Sequence, residues 1–139
     1  MTRSLRWVAA ICCVITLATS GCGPTGPKVY PVSGTVTWNG QPLPEGDIVF
    51  IPASPGDLEY AGKVTAGKFA FESSPGSKKV KIMASRPEGP VDPAMGLQPR
   101  VPYIPAKYSS GETTVLTAEV QEVVNETNKN RFEFPLTGP

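Results

Sequence analysis

The sequence predicts an all-β protein with a single Greek-key β-sandwich of about seven short strands. Apolar residues after Val29 recur mostly at every second position, which is the period of a strand with one buried face. Sixteen prolines and fourteen glycines divide the chain into short segments, as tight turns between strands require. The 139 residues suffice for one domain, and we expect that domain to cover residues 29–136.

The first 21 residues have the pattern of a secretory signal peptide. Arg3 and Arg6 give a positive start, and an apolar run follows from Trp7 to Ala18. A membrane-spanning helix needs about 20 apolar residues, so this run is too short to be a stable span. We therefore predict that residues 1–21 are removed from an exported protein.

The end of this segment predicts a lipid anchor at Cys22. Residues 19–22 read Thr-Ser-Gly-Cys and resemble a lipobox, where bacterial lipoproteins are acylated on cysteine and cut just before it, although leucine is usual at the position of Thr19. Removal of the signal with Cys12 and Cys13 would leave Cys22 as the last cysteine, and lipid would protect its thiol in an oxidising compartment. Residues 22–28 would then be a tether to a membrane of the cell envelope. The alternative is a secreted protein with one unpaired cysteine.

Alternation and turn residues together predict seven strands. Asn39-Gly40 is the strongest hairpin signal, because both turn positions favour a positive φ. Pro75-Gly76 marks another turn, and no segment after the signal has the pattern of an amphipathic helix. The strands are expected at residues 32–38, 47–52, 58–65, 68–72, 77–85, 113–120 and 131–136.

Residues 86–106 break this rhythm and are predicted to form a long proline-rich loop. Six prolines lie in the segment, and no apolar period continues through it. Long loops in compact domains tend to be functional or disordered. Tyr103 and Tyr108, near the end of the segment, are therefore candidates for contacting a ligand, for example by stacking on a sugar. Packing in the core or at its rim is the alternative for both rings.

The composition argues against several classes of function. The chain has no histidine, which is the usual general base near neutral pH and the commonest metal ligand. Without Arg3 and Arg6 it has eleven basic and twelve acidic residues, and this balance gives no electrostatic basis for a nucleic-acid partner. We predict no catalytic residue, no cofactor and no metal site.

Two pairs of acidic residues have the residue types found in glycosidase active sites and in calcium sites. Glu45 with Asp47, and Asp57 with Glu59, are two residues apart, so each pair would share one face of a strand. Paired carboxylates serve glycosidases when they lie in a substrate groove, and denser acidic loops bind calcium. We favour solvent-exposed charges beside turns for all four acids.

Lys78, Lys79 and Lys81 form a small basic group. It is interpreted as a solvated strand face whose lysines block aggregation between sheets. Contact with anionic lipid or a cell-wall polymer is the alternative, although three charges make a weak patch.

Residues 32–52 read VSGTVTWNGQPLPEGDIVFIP, and Phe69 and Phe71 follow Gly67 at alternate positions. These motifs resemble the carboxypeptidase regulatory-like (transthyretin-like) β-sandwich family, in particular its small lipoproteins from planctomycete bacteria. Residues 104–108 (IPAKY) are similar to a segment near their penultimate strand. The resemblance covers about residues 29–136 and implies a prealbumin-like sandwich without enzymatic activity of its own. Hydroxyisourate hydrolases share this fold, but they depend on histidines and on a C-terminal motif that this chain lacks.

These features predict a membrane-anchored cell-envelope lipoprotein whose non-catalytic sandwich is a structural module or binds an envelope protein or polysaccharide. One alternative is an envelope hydrolase that uses carboxylates alone, and acids with raised pKa gathered in one cleft would favour it. Another is an accessory subunit that pairs with its partner through a sheet edge, and an unblocked apolar edge would favour that function.

Overall fold

The computed structural model describes residues 26–122 and 130–138, which form ten strands and one short helix. The predicted signal peptide and Cys22 lie outside the described residues. The helix, α1, covers Ala106–Ser109. The strands are β1 (Tyr30–Trp38), β2 (Gln41–Pro42), β3 (Glu45–Pro52), β4 (Tyr60–Thr65), β5 (Lys68–Ser73), β6 (Gly76–Met83), β7 (Ser85–Pro87), β8 (Arg100–Pro102), β9 (Leu116–Val120) and β10 (Arg131–Leu136).

Eight of the strands belong to one sheet, so the prediction of an all-β protein is confirmed. The strand order is β10-β1-β5-β4-β3-β6-β9, and β2 also pairs with β1. Neighbouring strands are antiparallel except for β1 and β10, which run parallel with Val36 opposite Phe134. Strands β7 and β8 form a separate two-stranded sheet.

The large sheet is curled, and its inner face surrounds one core. Strands β4 and β5 are bridged at Thr65 and Lys68, beside the turn that joins them. Further along, the ring of Phe71 packs directly on Gly62, where a Cβ atom would lie 2.5 Å from a ring carbon. The Phe71 ring therefore occupies the space that a side chain at residue 62 would need.

Strand β10 is fixed to both of its neighbours in space. On one side, a Cβ atom at Gly34 would lie 1.9 Å from the carbonyl oxygen of Phe132, so the close approach of β1 and β10 requires glycine. On the other side, the Asn130 side chain reaches the end of β9. Its Oδ1 accepts a hydrogen bond from the Gln121 N–H at 2.8 Å, and its Nδ2 donates to the Gln121 carbonyl at 2.9 Å.

Phe50 on β3 is the centre of the core. Its ring centroid lies 5.0–6.5 Å from four other phenylalanine rings, all in edge-to-face geometry: Phe69 and Phe71 of β5, and Phe132 and Phe134 of β10. Such pairs add about 0.5–1.5 kcal/mol each beyond the area that they bury. Because β3 lies on the opposite side of the curl from β5 and β10, Phe50 joins the two sides.

Alternation in the sequence identified most of the core correctly. Leu43 is also fully buried, although it lies between the first two predicted strands. Apolar residues that follow this alternation but are only partly buried lie at the margins of the core: Trp38, Phe71, Leu116 and Phe132. Those that are buried include Val32, Val36, Ile48, Phe50, Phe69, Val80, Ile82, Ala84, Ala118, Val120, Phe134 and Leu136.

The predicted turn at Asn39-Gly40 is confirmed, since φ is 48° and 82° at its two residues. The start of the sixth predicted strand is wrong, because β9 begins at Leu116. The Thr113 hydroxyl instead donates to the Ala106 carbonyl at 2.8 Å and ties the preceding turn to α1, which was not expected.

Phe50→Ala is expected to lower the free energy of unfolding by about 3–5 kcal/mol, because it leaves a cavity where five rings meet. Phe71→Ala, at the half-buried margin of the same cluster, should cost less. Urea unfolding followed by tryptophan fluorescence measures both. Equal losses in the two variants would contradict the central position of Phe50.

Candidate functional site

Residues 85–102, which we call the arm, form a hairpin where a long loop was expected. Strand β7 pairs with β8, with Arg86 opposite Val101. Further out, the Glu88 N–H donates to the Pro99 carbonyl at 2.9 Å, and Gln98 Nε2 donates to the Gly89 carbonyl at 2.9 Å. The prolines interrupt the apolar alternation, so the sequence did not predict this hairpin. Proline is nevertheless tolerated in edge strands, because its missing N–H is not needed there for a hydrogen bond to a neighbouring strand.

The tip of the arm is a compact turn built by Asp92. Its Oδ1 accepts hydrogen bonds from the backbone N–H groups of Ala94 at 2.7 Å and Met95 at 3.3 Å. The Gly96 N–H donates to the Asp92 carbonyl at 2.7 Å, and the Asp92 N–H donates to the Leu97 carbonyl at 2.9 Å. These four bonds fix the backbone from which Met95 and Leu97 project.

Several apolar side chains of the arm are exposed to solvent. Met95 is 71% exposed and Leu97 is 67% exposed. Val91 and Val101 are exposed as well, so the arm carries four of the eight large exposed hydrophobic residues in the described part of the chain. Single exposed apolar residues are ordinary, whereas several on one projecting element indicate a contact surface for a protein. The arm is therefore the candidate functional site.

Tyr103, one of the two predicted ligand contacts, supports the base of the arm. Its N–H donates to the Ala84 carbonyl at 3.2 Å. Its half-buried ring meets Trp38 edge-on at a centroid distance of 5.8 Å, and the guanidinium carbon of Arg86 lies 5.7 Å from the ring centroid. The aromatic contact and the cation–π contact hold the arm against the sheet.

The structure places Tyr108 in the core, away from the ligand-contacting surface that was expected. It is 6% exposed because α1 turns its ring inward. Its phenolic oxygen lies 3.3 Å from the Thr137 hydroxyl oxygen and accepts a hydrogen bond from the Thr137 N–H at 3.4 Å. These hydrogen bonds from Thr137 lower the pKa of Tyr108. Tyr108 therefore ties α1 to the chain that follows β10.

Glu45 and Asp47 share the outer face of β3, and each lies beside a cation. The Asp47 carboxylate is 2.5 Å from Lys63 Nζ, and the Glu45 carboxylate is 3.7 Å from Arg100 Nη2. The hydrogen bond that Lys63 donates to the Asp47 carboxylate raises the pKa of Lys63. All four side chains remain substantially exposed beside a crevice of about 230 Å³. This arrangement favours surface ion pairs over the groove that a hydrolase needs.

Lys78 does not share the solvated face of Lys79 and Lys81, contrary to the sequence interpretation. It is 2% exposed and lies in phase with the buried Val80, a signal that the alternation already contained. Its Nζ donates to Ser74 Oγ at 2.8 Å. Burial lowers the pKa of Lys78, because removal from water penalises the charged amine.

Residues 26–122 and 130–138 contain no group of three acidic, histidine or cysteine side chains that could hold a metal ion. The same ranges contain no helix long and apolar enough to cross a membrane. The predicted site of lipid attachment, Cys22, lies outside these ranges.

Lys78→Met is expected to remove part of the pH dependence of stability. In the unfolded chain the amine has its ordinary pKa of 10.5, and in the folded chain its pKa is lower, so the unfolded state binds this proton more tightly. The free energy of unfolding should therefore rise with pH between the folded pKa and 10.5, and this gain should be absent below that window.

Urea unfolding at several pH values from about 7 to 10 measures this effect. Lys79→Met, on the outer face of the same strand, is the matched control and should keep the rise. An equal rise in wild type and Lys78→Met would contradict the effect of burial.

Comparisons with known proteins leave the family of the chain open. No family model matches the sequence, and no curated protein or solved structure shows significant similarity to it.

Proposed function

We propose that the chain is a membrane-anchored lipoprotein of the cell envelope that binds a partner protein through its arm. The observation that carries this proposal is the rigid hairpin with an exposed apolar tip. The proposed fold is a Greek-key sandwich of the carboxypeptidase regulatory-like type. Two features support that fold: the core that Phe50 joins from both sides of the curled sheet, and the return of β6 to lie antiparallel beside β3 after the successive pairs β3-β4 and β4-β5.

The arm and the start of β1 lie at opposite ends of the sheet. Tyr30 pairs with Ser73, and the turn at Pro75-Gly76 starts β6 at this same end. Strand β6 then runs eight residues, about 26 Å, to the end where the arm begins. The chain from Cys22 to Tyr30, which includes the tether, spans at most about 29 Å, so a lipid on Cys22 would hold the end that carries Tyr30 near the membrane. The arm would then face away from the membrane.

A protein partner suits this surface better than a polysaccharide. Sugar-binding sites use aromatic faces, whereas Tyr103 is held between Trp38 and Arg86 and Tyr108 is buried. The large exposed hydrophobic side chains of the arm are aliphatic or thioether groups, which fit an apolar groove. The ordered tip reduces the entropy that the arm loses on binding.

Lipidation at Cys22 is tested by metabolic labelling with a clickable fatty acid in a host that processes lipoproteins. We expect label on the wild type and membrane recovery, and neither with Cys22→Ala. Label on both proteins would place the acyl group elsewhere. Label on neither would contradict the anchor and would indicate that Thr19, which departs from the lipobox, prevents acylation.

Binding through the arm is tested by photo-crosslinking in cells, with a crosslinking residue at position 91. We expect one discrete adduct, and we expect Leu97→Asp to abolish it, because a charge at the tip opposes apolar contact. Val115→Asp is the matched control, since Val115 is 68% exposed but lies outside the arm. Equal adduct in both variants, or none in the wild type, would contradict the proposal.

A further inference from the structure

The outer face of the large sheet contains a hollow of about 430 Å³ that crosses β4, β5, β1 and β10. Its floor consists of small side chains on the two middle strands, where Ser33 of β1 lies opposite Ala70 of β5. Arg131 of β10 lies beside Ser33 on one side, and Lys63 of β4 lines the other side. The small floor residues therefore leave space between long basic side chains, and the volume lies in the range of sites for small molecules.

Three cations line this hollow, and no acidic side chain of the described residues does. The cations are Lys63, Lys68 and Arg131. Lys63 pairs with Asp47, whereas neither Lys68 nor Arg131 belongs to an ion pair closer than 4 Å within the described ranges. Both of these side chains are exposed. Their charges are therefore available to an anion that enters the hollow.

The acids on the same outer face lie outside the hollow. Glu133 is two residues after Arg131 on β10, and Glu72 is two residues after Ala70 on β5. Neither of them lines the hollow. The excess of positive charge is local, because the whole chain has a net charge of only +1.

The strand register places Lys68 and Arg131 where both can reach one ligand. Two strand spacings and two residues along the strand separate their Cα atoms, a distance of about 12 Å in a regular sheet. The guanidinium of an arginine binds phosphate through two parallel hydrogen bonds, and a lysine adds a compact charge. Thr35 and Thr65 lie opposite Lys68 on its two sides, and both line the hollow, so their hydroxyls can bind the hydroxyls of a ligand.

We propose that this hollow binds a small polyhydroxylated phosphate monoester, such as a sugar phosphate, a function beyond the binding role of the arm. Such an ester carries nearly two negative charges above its second pKa of about 6, which suits the charges of Lys68 and Arg131. The lining includes one aromatic residue, Phe69, and it is 4% exposed. A nucleotide base would therefore lack a ring on which to stack, whereas a sugar phosphate needs none.

The test is isothermal titration calorimetry of the full-length protein with glucose 6-phosphate. We expect binding at about pH 7.5 and affinity up to about tenfold lower at about pH 5, where the ester carries one charge. Protonation of Asp47, Glu72 or Glu133 would strengthen the binding of an anion, so a loss of affinity identifies the charge of the phosphate as the cause. Glucose, which lacks the phosphate, should not bind. Equal binding of glucose, or no binding of glucose 6-phosphate at the higher pH, would overturn the proposal.

Three variants with the same change of net charge locate the site. Lys68→Gln and Arg131→Gln each remove one exposed cation from the hollow and should weaken binding by about tenfold or more. Lys81→Gln, on the outer face of β6, is the matched control and should bind as the wild type does. Urea unfolding checks that all three variants keep the fold. Equal weakening in the three variants, or in none, would overturn the assignment to this hollow.

Discussion

The contact of Phe50 with four other phenylalanine rings is the interaction on which the rest of the fold depends. A curled sheet needs side chains long enough to reach from one side to the other, and all five phenylalanines of the chain meet at this point. The rings of the cluster also pack on two glycines, since Phe71 lies on Gly62 and Phe69 lies on Gly34. One aromatic cluster thus joins β3, β5 and β10 and occupies the space beside Gly34 and Gly62.

The two ends of the sheet are closed by different chemistry. The buried polar residues lie near the end where β1 starts, and they include Ser73, Lys78 and Asn130. At the other end, Trp38 and Tyr103 close the core and support the arm. The aromatic end gives a rigid base for the projecting hairpin.

The sequence predicts local features of this structure well and non-local features poorly. Alternation found the inward faces of the large sheet, because a strand with one buried face has to alternate whatever it packs against. The same alternation places Lys78 on the inner face of the sheet. The sequence interpretation placed it in solvent instead, because lysine is charged. The sequence could not predict the position of Tyr108, since that position depends on Thr137, 29 residues further along the chain. The arm was missed because backbone hydrogen bonds across its two strands, not side-chain periodicity, define it.

The order of the arm is the strongest argument that its exposed residues are functional. An arm without structure would hide its apolar side chains in transient contacts, at little cost in free energy. Here Asp92 and the paired backbone fix the tip, so Leu97 is held in solvent. Ordering this backbone costs about 1–2 kcal/mol per residue in conformational entropy, and the exposed tip recovers none of it by burial. A bound partner would offset this entropy cost by burying apolar surface, because the arm already has one conformation and its apolar side chains are still exposed.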